Sequence, residues 1–160
     1  MIIRSANKND IQNLLYLINQ KANFDRSLGD FNGIVSNSEK KILNTMFTHQ
    51  PYAWAYLAEN EYKIPVGMAL YHFRYSSFKG LPSIWLDDLF ILHEYRGLGL
   101  GKKLFLELEK LAKNINASHI GWVASDLNSR GKLFYSRIGS EIIKSDGSTL
   151  FYEYIINKNE

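Results

Sequence analysis

The chain has 160 residues, 46% hydrophobic and 14% aromatic, which suits one globular domain with a sizeable core and excludes a disordered chain. It has no cysteine, so disulfides and thiolate zinc sites are excluded and a reducing cytoplasm is the simplest location. A net charge of +3 from nineteen basic and sixteen acidic residues is too mild and too evenly spread for a nucleic-acid binder, and no apolar run spans a bilayer or reads as a signal peptide.

Ile2, Ile3 and Arg4 read as a short strand. Asp10 is placed to cap a helix carrying Ile11, Leu14, Leu15, Leu17 and Ile18. The stretch NFDRSLGDFNGIVSNS (23–38) reads as irregular, and a second helix follows near Glu39 to Phe47 with Ser38 as its cap. YAWAYLAE (52–59) and VGMALYHFRY (66–75) read as strands joined by the turn-like NEYKIP. SIWLDDLFIL (83–92) is a third long strand. A helix begins near Gly99 with Leu100, Leu104, Leu108, Leu111 and Ala112 on one stripe. HIGWVA (119–124) is a strand, NSRGKLFYSRIG (128–139) a short helix stopped by Gly139, and LFYEYII (150–156) a closing strand. Helices separate some of the strands, so part of the sheet is expected to be parallel. The fold class is α/β (α+β), one domain over 1–160.

Between the third long strand and its helix lies EYRGLGLGKK (94–103). Gly97, Gly99 and Gly101 give G-x-G-x-G, which fails the dinucleotide fingerprint; a Walker loop fails because Arg96 and Lys103 stand at its ends. The local chemistry still asks for an anion. A strand ends, glycines remove side-chain bulk, and the free N–H groups of a helix start point at one spot. Lys102 and Lys103 stand in the first turn, where the helix dipole disfavours cations unless an anion is bound. The plain alternative is a glycine-rich turn followed by solvated lysines.

Asp87 and Asp88 are adjacent in a strand, so strict alternation puts them on opposite faces. Asp87 then groups with Trp85, Leu89 and Ile91, and Asp88 with Leu86 and Phe90. A carboxylate in such apolar company needs a partner or a raised pKa. The four histidines (His49, His72, His93, His119) show no metal-ligand spacing. Asn128 is placed to cap its helix.

Arg96-x-x-Gly99-x-Gly101 resembles the acetyl-CoA signature R/Q-x-x-G-x-G/A of the GNAT N-acetyltransferase superfamily. WLDDLFILHEYRGLGLG is similar to the central strand and pyrophosphate loop of its spermidine/spermine acetyltransferase-like branch, which also contains thialysine acetyltransferases. DLNSRGKLFYSRIGS resembles that branch's W/L-N…x-F-Y-x-x-x-G-A segment, and FRYSSFKG its Y-F-x-Y-S-x-x-x-G strand and turn. The likeness covers residues 50–140 well, the first helices loosely and the last strand poorly.

The resemblance implies the GNAT fold: a mixed central sheet of about six to seven strands with helices on both faces, splayed between the strands at 84–92 and 119–124. It implies acetyl-CoA as co-substrate and no metal. Leu89, Phe90 and Ile91 match the pantetheine-binding strand, and Arg96, Gly97, Leu98, Gly99, Leu100, Gly101 and Lys102 the pyrophosphate loop. Asn128, Ser129 and Arg130 match the second CoA contact. The general base falls on Asp87, one methylene shorter than that branch's Glu, which leaves room for a water relay. The general acid falls on Tyr135. Phe24, Asp25, Asp87 and Asp146 fall on substrate contacts.

The reaction so implied is acetyl transfer to a primary amine of a small molecule, such as a polyamine, thialysine or an amino-acid-like amine. KSDGSTL (144–150) has one acid, a lysine and no Trp where the polyamine branch has an acidic pair followed by Gly-Trp, which weighs against a polycation. A protein N-terminal or lysine acetyltransferase is an alternative within the fold. A non-enzymatic acyl-CoA-binding module is another, against which Asp87 and Tyr135 together argue. A homodimer is also implied, with Phe151 to Ile156 a candidate contributor at a sheet edge, and neither nucleic acid nor membrane is an expected partner.

Overall fold

A computed structural model describes residues 1–156. Strand β1 (Ile2–Ser5) is followed by a 3-10 turn at Lys8–Asp10 and helices α1 (Ile11–Leu28) and α2 (Glu39–Met46). Strands β2 (Trp54–Glu59), β3 (Pro65–Ser76) and β4 (Leu81–Ile91) come next, then α3 (Leu100–Asn114) and β5 (His119–Ser125). The chain continues through α4 (Ser129–Arg137), β6 (Glu141–Asp146) and β7 (Thr149–Ile155). All the strands join one sheet in the order β1-β2-β3-β4-β5-β7-β6. No helix among the described residues is long and apolar enough to cross a membrane.

The first helix starts differently from the simple cap expected at Asp10. The Asn7 side chain caps the 3-10 turn by accepting from the Asn9 N–H at 2.9 Å. The Asp10 carboxylate accepts from the Asn7 N–H at 2.8 Å and takes a forked bond from Arg4 at 2.7 and 2.8 Å. Arg4 Nε donates to Glu59 at 2.6 Å, so one guanidinium ties β1 to β2 and to the start of α1. The helix also runs longer than the Asn-rich stretch implied, through Leu28 to Gly29 at φ 80°. Asn and Asp cost only tenths of a kcal/mol in a helix, and Phe24 packs on Phe90 with ring centroids 6.4 Å apart, so tertiary contact decides.

Helices cover both faces of the sheet. On one side α1 and α2 bury Leu14, Leu17 and Ile42 against Leu57, Met68 and Phe90. On the other, Leu100, Leu104, Phe105 and Leu108 of α3 pack with Ile84, Leu86, Trp122 and Tyr135. Strand β6 escaped the sequence reading because all its residues are exposed, which leaves no apolar alternation. It is the edge strand, and β7 lies between β5 and β6. The closing strand is therefore paired on both sides and is not the free edge expected of it.

The decisive irregularity is in β4. Tyr71 of β3 stands opposite Leu86, and its neighbour Leu70 opposite Asp88, which leaves Asp87 as the extra residue of a β-bulge. Alternation resets there. Leu86 packs in the α3-side core and Leu89 and Ile91 pack against that same core, while Phe90 joins the α1-side core. The expected grouping of Leu86 with Asp88 and Phe90 is thereby corrected.

Candidate active site

Strands β4 and β5 are parallel, as expected for strands separated by a helix, but they pair only at Ile84↔Ile120 and Trp85↔Gly121. Beyond that point β4 has no strand partner on its β5 side, and from Leu86 onward it borders a gap. The gap is a cleft of about 930 Å³ lined by α1, β4, the glycine stretch, β5 and α4, within the size range of small-molecule sites.

The glycine stretch forms one wall. Gly97 and Gly99 have φ of 81° and 78°, a conformation that glycine adopts without steric cost. A Cβ at either would meet no atom within 4 Å. Gly99 is the N-cap of α3 and supplies no side-chain cap, so the first N–H groups of α3 need an outside acceptor. Arg96 Nε donates to the Ile91 carbonyl at 2.8 Å, and its guanidinium lies 4.8 Å from the Phe24 ring and 5.4 Å from the Phe90 ring. Burial, then the nearby Arg130, push Arg96 below its ordinary pKa. Two cations this close are a standing attraction for an anion. The opposite wall has a second helix start, where Asn128 Oδ1 accepts from the Gly131 N–H at 2.9 Å.

Tyr135 projects from α4 against Trp122 and Tyr152, with ring centroids at 5.1 and 4.9 Å. It is 9% exposed and lines the cleft. Burial raises its pKa well above the usual phenol range, and Tyr152, Asp88 and Asp25 add to the shift. The phenol therefore keeps its proton at neutral pH and is a weaker acid than a free phenol.

Asp87 is the cleft's half-exposed carboxylate, with a side-chain exposure of 49% and His72 Nδ1 at 3.7 Å. Asp88 turns the other way, towards Lys21 Nζ at 3.4 Å. Burial raises the Asp88 pKa, Lys21 opposes the shift, and the charge of Asp87 reinforces it.

Of the positions implied for CoA, all line the cleft except Leu98 and Ser129. Phe24 and Asp25 line it as well. Asp146 does not: KSDGSTL folds into the β6–β7 hairpin, with Asp146 opposite Thr149 and its side chain exposed. Sequence reasoning missed Lys21 in the lining, and the only signal available was its one-turn spacing from Asp25. Among the described residues, no group of three or more His, Cys, Asp or Glu could hold a metal ion.

The chain is 31% identical over 148 residues to the thialysine N-epsilon-acetyltransferase of Bos taurus, covering 88% of this chain and 84% of that one. Its fold is similar to that of a tetramutant of the BH1408 protein from Bacillus halodurans, with a TM-score of 0.78 at 19% identity over 91% of this chain and 97% of that one. It is also similar to the PaiA N-acetyltransferase from Thermoplasma acidophilum in complex with coenzyme A, with a TM-score of 0.75 at 21% identity over 97% and 99% of the two chains. Residues 19–139 match the acetyltransferase (GNAT) family. By that match over most of its length, this chain belongs to the GNAT acetyltransferases and is an acyltransferase.

Proposed function

We propose that this acyltransferase moves the acetyl group of acetyl-CoA to the primary amine of a small molecule. The observation that carries the reading is one cleft joining an anion-ready loop, an unpaired strand edge, a buried protonated phenol and a half-exposed carboxylate. A similar chain named thialysine N-epsilon-acetyltransferase and a similar fold in complex with coenzyme A support it.

The residues fit the co-substrate. The space beside Gly97 and Gly99 admits a pyrophosphate to the backbone, and Arg96, Lys102 and Arg130 supply positive charge. The edge of β4 at Leu89, Phe90 and Ile91 has no strand partner on the cleft side and, apart from the Ile91 carbonyl that Arg96 holds, is open to an extended amide chain such as pantetheine. Acetyl-CoA supplies an acetyl group activated as a thioester.

The protein must then manage protons. An amine attacks only when neutral, so Asp87, directly or through a water, takes a proton from its nitrogen. The backbone N–H near Phe90 stabilises the oxygen on which negative charge grows. Tyr135 protonates the departing sulfur. Burial makes Tyr135 a weaker acid, but desolvation also raises the pKa of a thiol, so the donor and acceptor shift together. Much of the rate comes from holding the two reactants in one cleft.

A homodimer fits the same reading. It would draw on the edges β1 or β6, since β7 is paired on both sides, and sedimentation at micromolar concentration tests it. The central experiment is acetyl-CoA-dependent release of free thiol over a panel of small amines. At least one amine should raise thiol release well above the hydrolysis background. Tight acetyl-CoA binding with no amine-stimulated release would instead make the protein an acyl-CoA-binding module.

A further inference from the structure

The charged groups of the cleft are sorted by sign. Arg96, Lys102, Arg130 and Arg137 stand at the glycine loop and on α4, while Asp25, Asp30 and Asp87 stand on the α1 and β4 side. Lys21 breaks this order. It projects from the middle of α1 into the acidic half, and the acetyl-transfer chemistry makes no use of it.

Its Nζ lies 2.5 Å from Asp25 Oδ2 and 3.4 Å from Asp88 Oδ1. About a quarter of each side chain is exposed, at 26%, 27% and 24% for Lys21, Asp25 and Asp88. A lysine with free choice carries its ammonium out to water; this one holds its ammonium against the cleft wall. Burial alone would lower its pKa, but Asp88 and Asp25 together outweigh burial and raise it, so the group stays charged. Without Lys21, Asp25 and Asp87 would line the cleft with the charge of Asp88 behind Asp25, and such a set of carboxylates attracts polycations. With it, two of those carboxylates already hold a cation from inside the protein, which cancels one of their two charges.

We propose that Lys21 is a built-in counter-cation that sets acceptor specificity: its ammonium takes the place a second ammonium of the acceptor would need, so the enzyme favours primary amines carrying a single positive charge. This rests on the acetyl-transfer reading above. Asp87 remains for the reacting amine, and the Asp25–Asp88 pair is closed to a second one.

The test compares pentylamine with 1,5-diaminopentane, which have the same carbon chain and differ by one ammonium. The readout is the ratio of their kcat/KM values in the thiol-release assay. For the wild type the ratio should stay near the statistical factor of about two for two equivalent amines. In Lys21→Met the freed carboxylates should raise it at least about tenfold, as expected for a partly buried charge pair. Lys21→Arg, which keeps the charge, should hold the wild-type ratio. A merely structural lysine would change both amines alike and leave the ratio where it was.

A wild-type enzyme that already favours the diamine more than about tenfold overturns the proposal, as does a folded Lys21→Met protein with the wild-type ratio. If the Met variant does not fold, because Asp88 is left without its partner, the wild-type ratio decides alone. Failure of every amine in the panel to release thiol from the wild type overturns the acetyl-transfer reading, and this proposal with it.

Discussion

Replacing Gly99 by alanine tests the glycine loop with a single methyl group. Its φ is 78°, and for an L-residue that left-handed conformation costs about 1–2 kcal/mol. The added Cβ would meet no atom within 4 Å, so no clash adds to the strain. For a domain of this size the loss corresponds to a Tm drop of about 2–8 °C. Gly101 is the control. It lies in the first turn of α3 without a positive φ, and its added Cβ would stand 3.5 and 3.6 Å from the Phe134 ring, an ordinary contact. Alanine is favoured over glycine inside a helix by up to about 1 kcal/mol, so Gly101→Ala should leave Tm unchanged or raise it. Thermal unfolding reads both effects, and calorimetric titration with acetyl-CoA reads the function. A methyl at Gly99 occupies the space through which a pyrophosphate must approach the backbone. Losing one charge-assisted hydrogen bond of about 1.5–3 kcal/mol raises Kd at least about tenfold, and Gly101→Ala should lose less. A Gly99→Ala protein with the lowered Tm and an unchanged Kd would remove the loop from the acetyl-CoA site. A larger Tm loss in Gly101→Ala than in Gly99→Ala would refute the backbone argument itself.

The remaining expectations concern protons and packing. Tyr135→Phe keeps the ring and should cut kcat at least about tenfold with acetyl-CoA affinity unchanged and no recovery at high pH. Asp87→Asn should impair both kcat and the KM for the amine, and its deficit should shrink as pH rises, because more amine then arrives neutral. Gly67→Ala would drive a Cβ into Ile91 Cδ1 and to 2.9 Å from the Phe90 carbonyl. A cost of about 1–3 kcal/mol and a weaker acetyl-CoA affinity are expected, read by denaturant titration and calorimetry. Asp10→Asn tests linkage. Arg4 holds the Asp10 pKa below its ordinary 3.8, so that stabilisation is present above the ordinary value and is lost as pH falls through the folded one. The mutant should be about 2 kcal/mol less stable at neutral pH, and its Tm should converge with the wild type in acid; parallel curves down to about pH 2 would refute the assignment.

Much of this was legible in the sequence because the signals were local. The amphipathic stripe of α3, the caps at Ser38 and Asn128 and the stop at Gly139 each depend on neighbours in the chain, and each stands where it was read. The glycine loop was legible for the same reason. What stayed hidden depends on partners distant in sequence. Lys21 meets Asp88 across 67 positions of chain, and no periodicity announces that contact. Strand β6 has no buried residue and exists because β7 offers it a hydrogen-bonding edge. The substrate role expected of Asp146 was carried by likeness in a segment that matched poorly, and the hairpin there leaves that side chain outside the cleft.

The bulge in β4 was equally hidden, since nothing in Leu86-Asp87-Asp88-Leu89 says which residue is the extra one. Its consequences organise the site. Ile84 and Leu86 face the α3-side core, so with Asp87 as an ordinary ladder residue strict alternation would point Asp88 and Phe90 into that core as well. A carboxylate there would be buried among leucines with no cation to meet it, at a cost of several kcal/mol. The insertion turns Asp88 towards Lys21 and Phe90 towards Phe24 and Arg96. It also sets Asp87 outside the β3 ladder with half its side chain exposed, where a carboxylate can exchange a proton. A bulged strand bends and twists more than a regular one, and β4 parts from β5 just before this bulge, after Trp85. The bulge at Asp87 therefore keeps a charge out of the core, exposes the proposed base and helps to open the cleft. Removing it by deleting Asp87 should do more than abolish a base. Leu86 and Asp88 already stand opposite the neighbours Tyr71 and Leu70, so the ladder should close regularly with Asp88 still turned to Lys21. The straighter β4 should weaken acetyl-CoA binding, which Asp87→Asn should leave unchanged, a difference that calorimetric titration of the two variants would read directly.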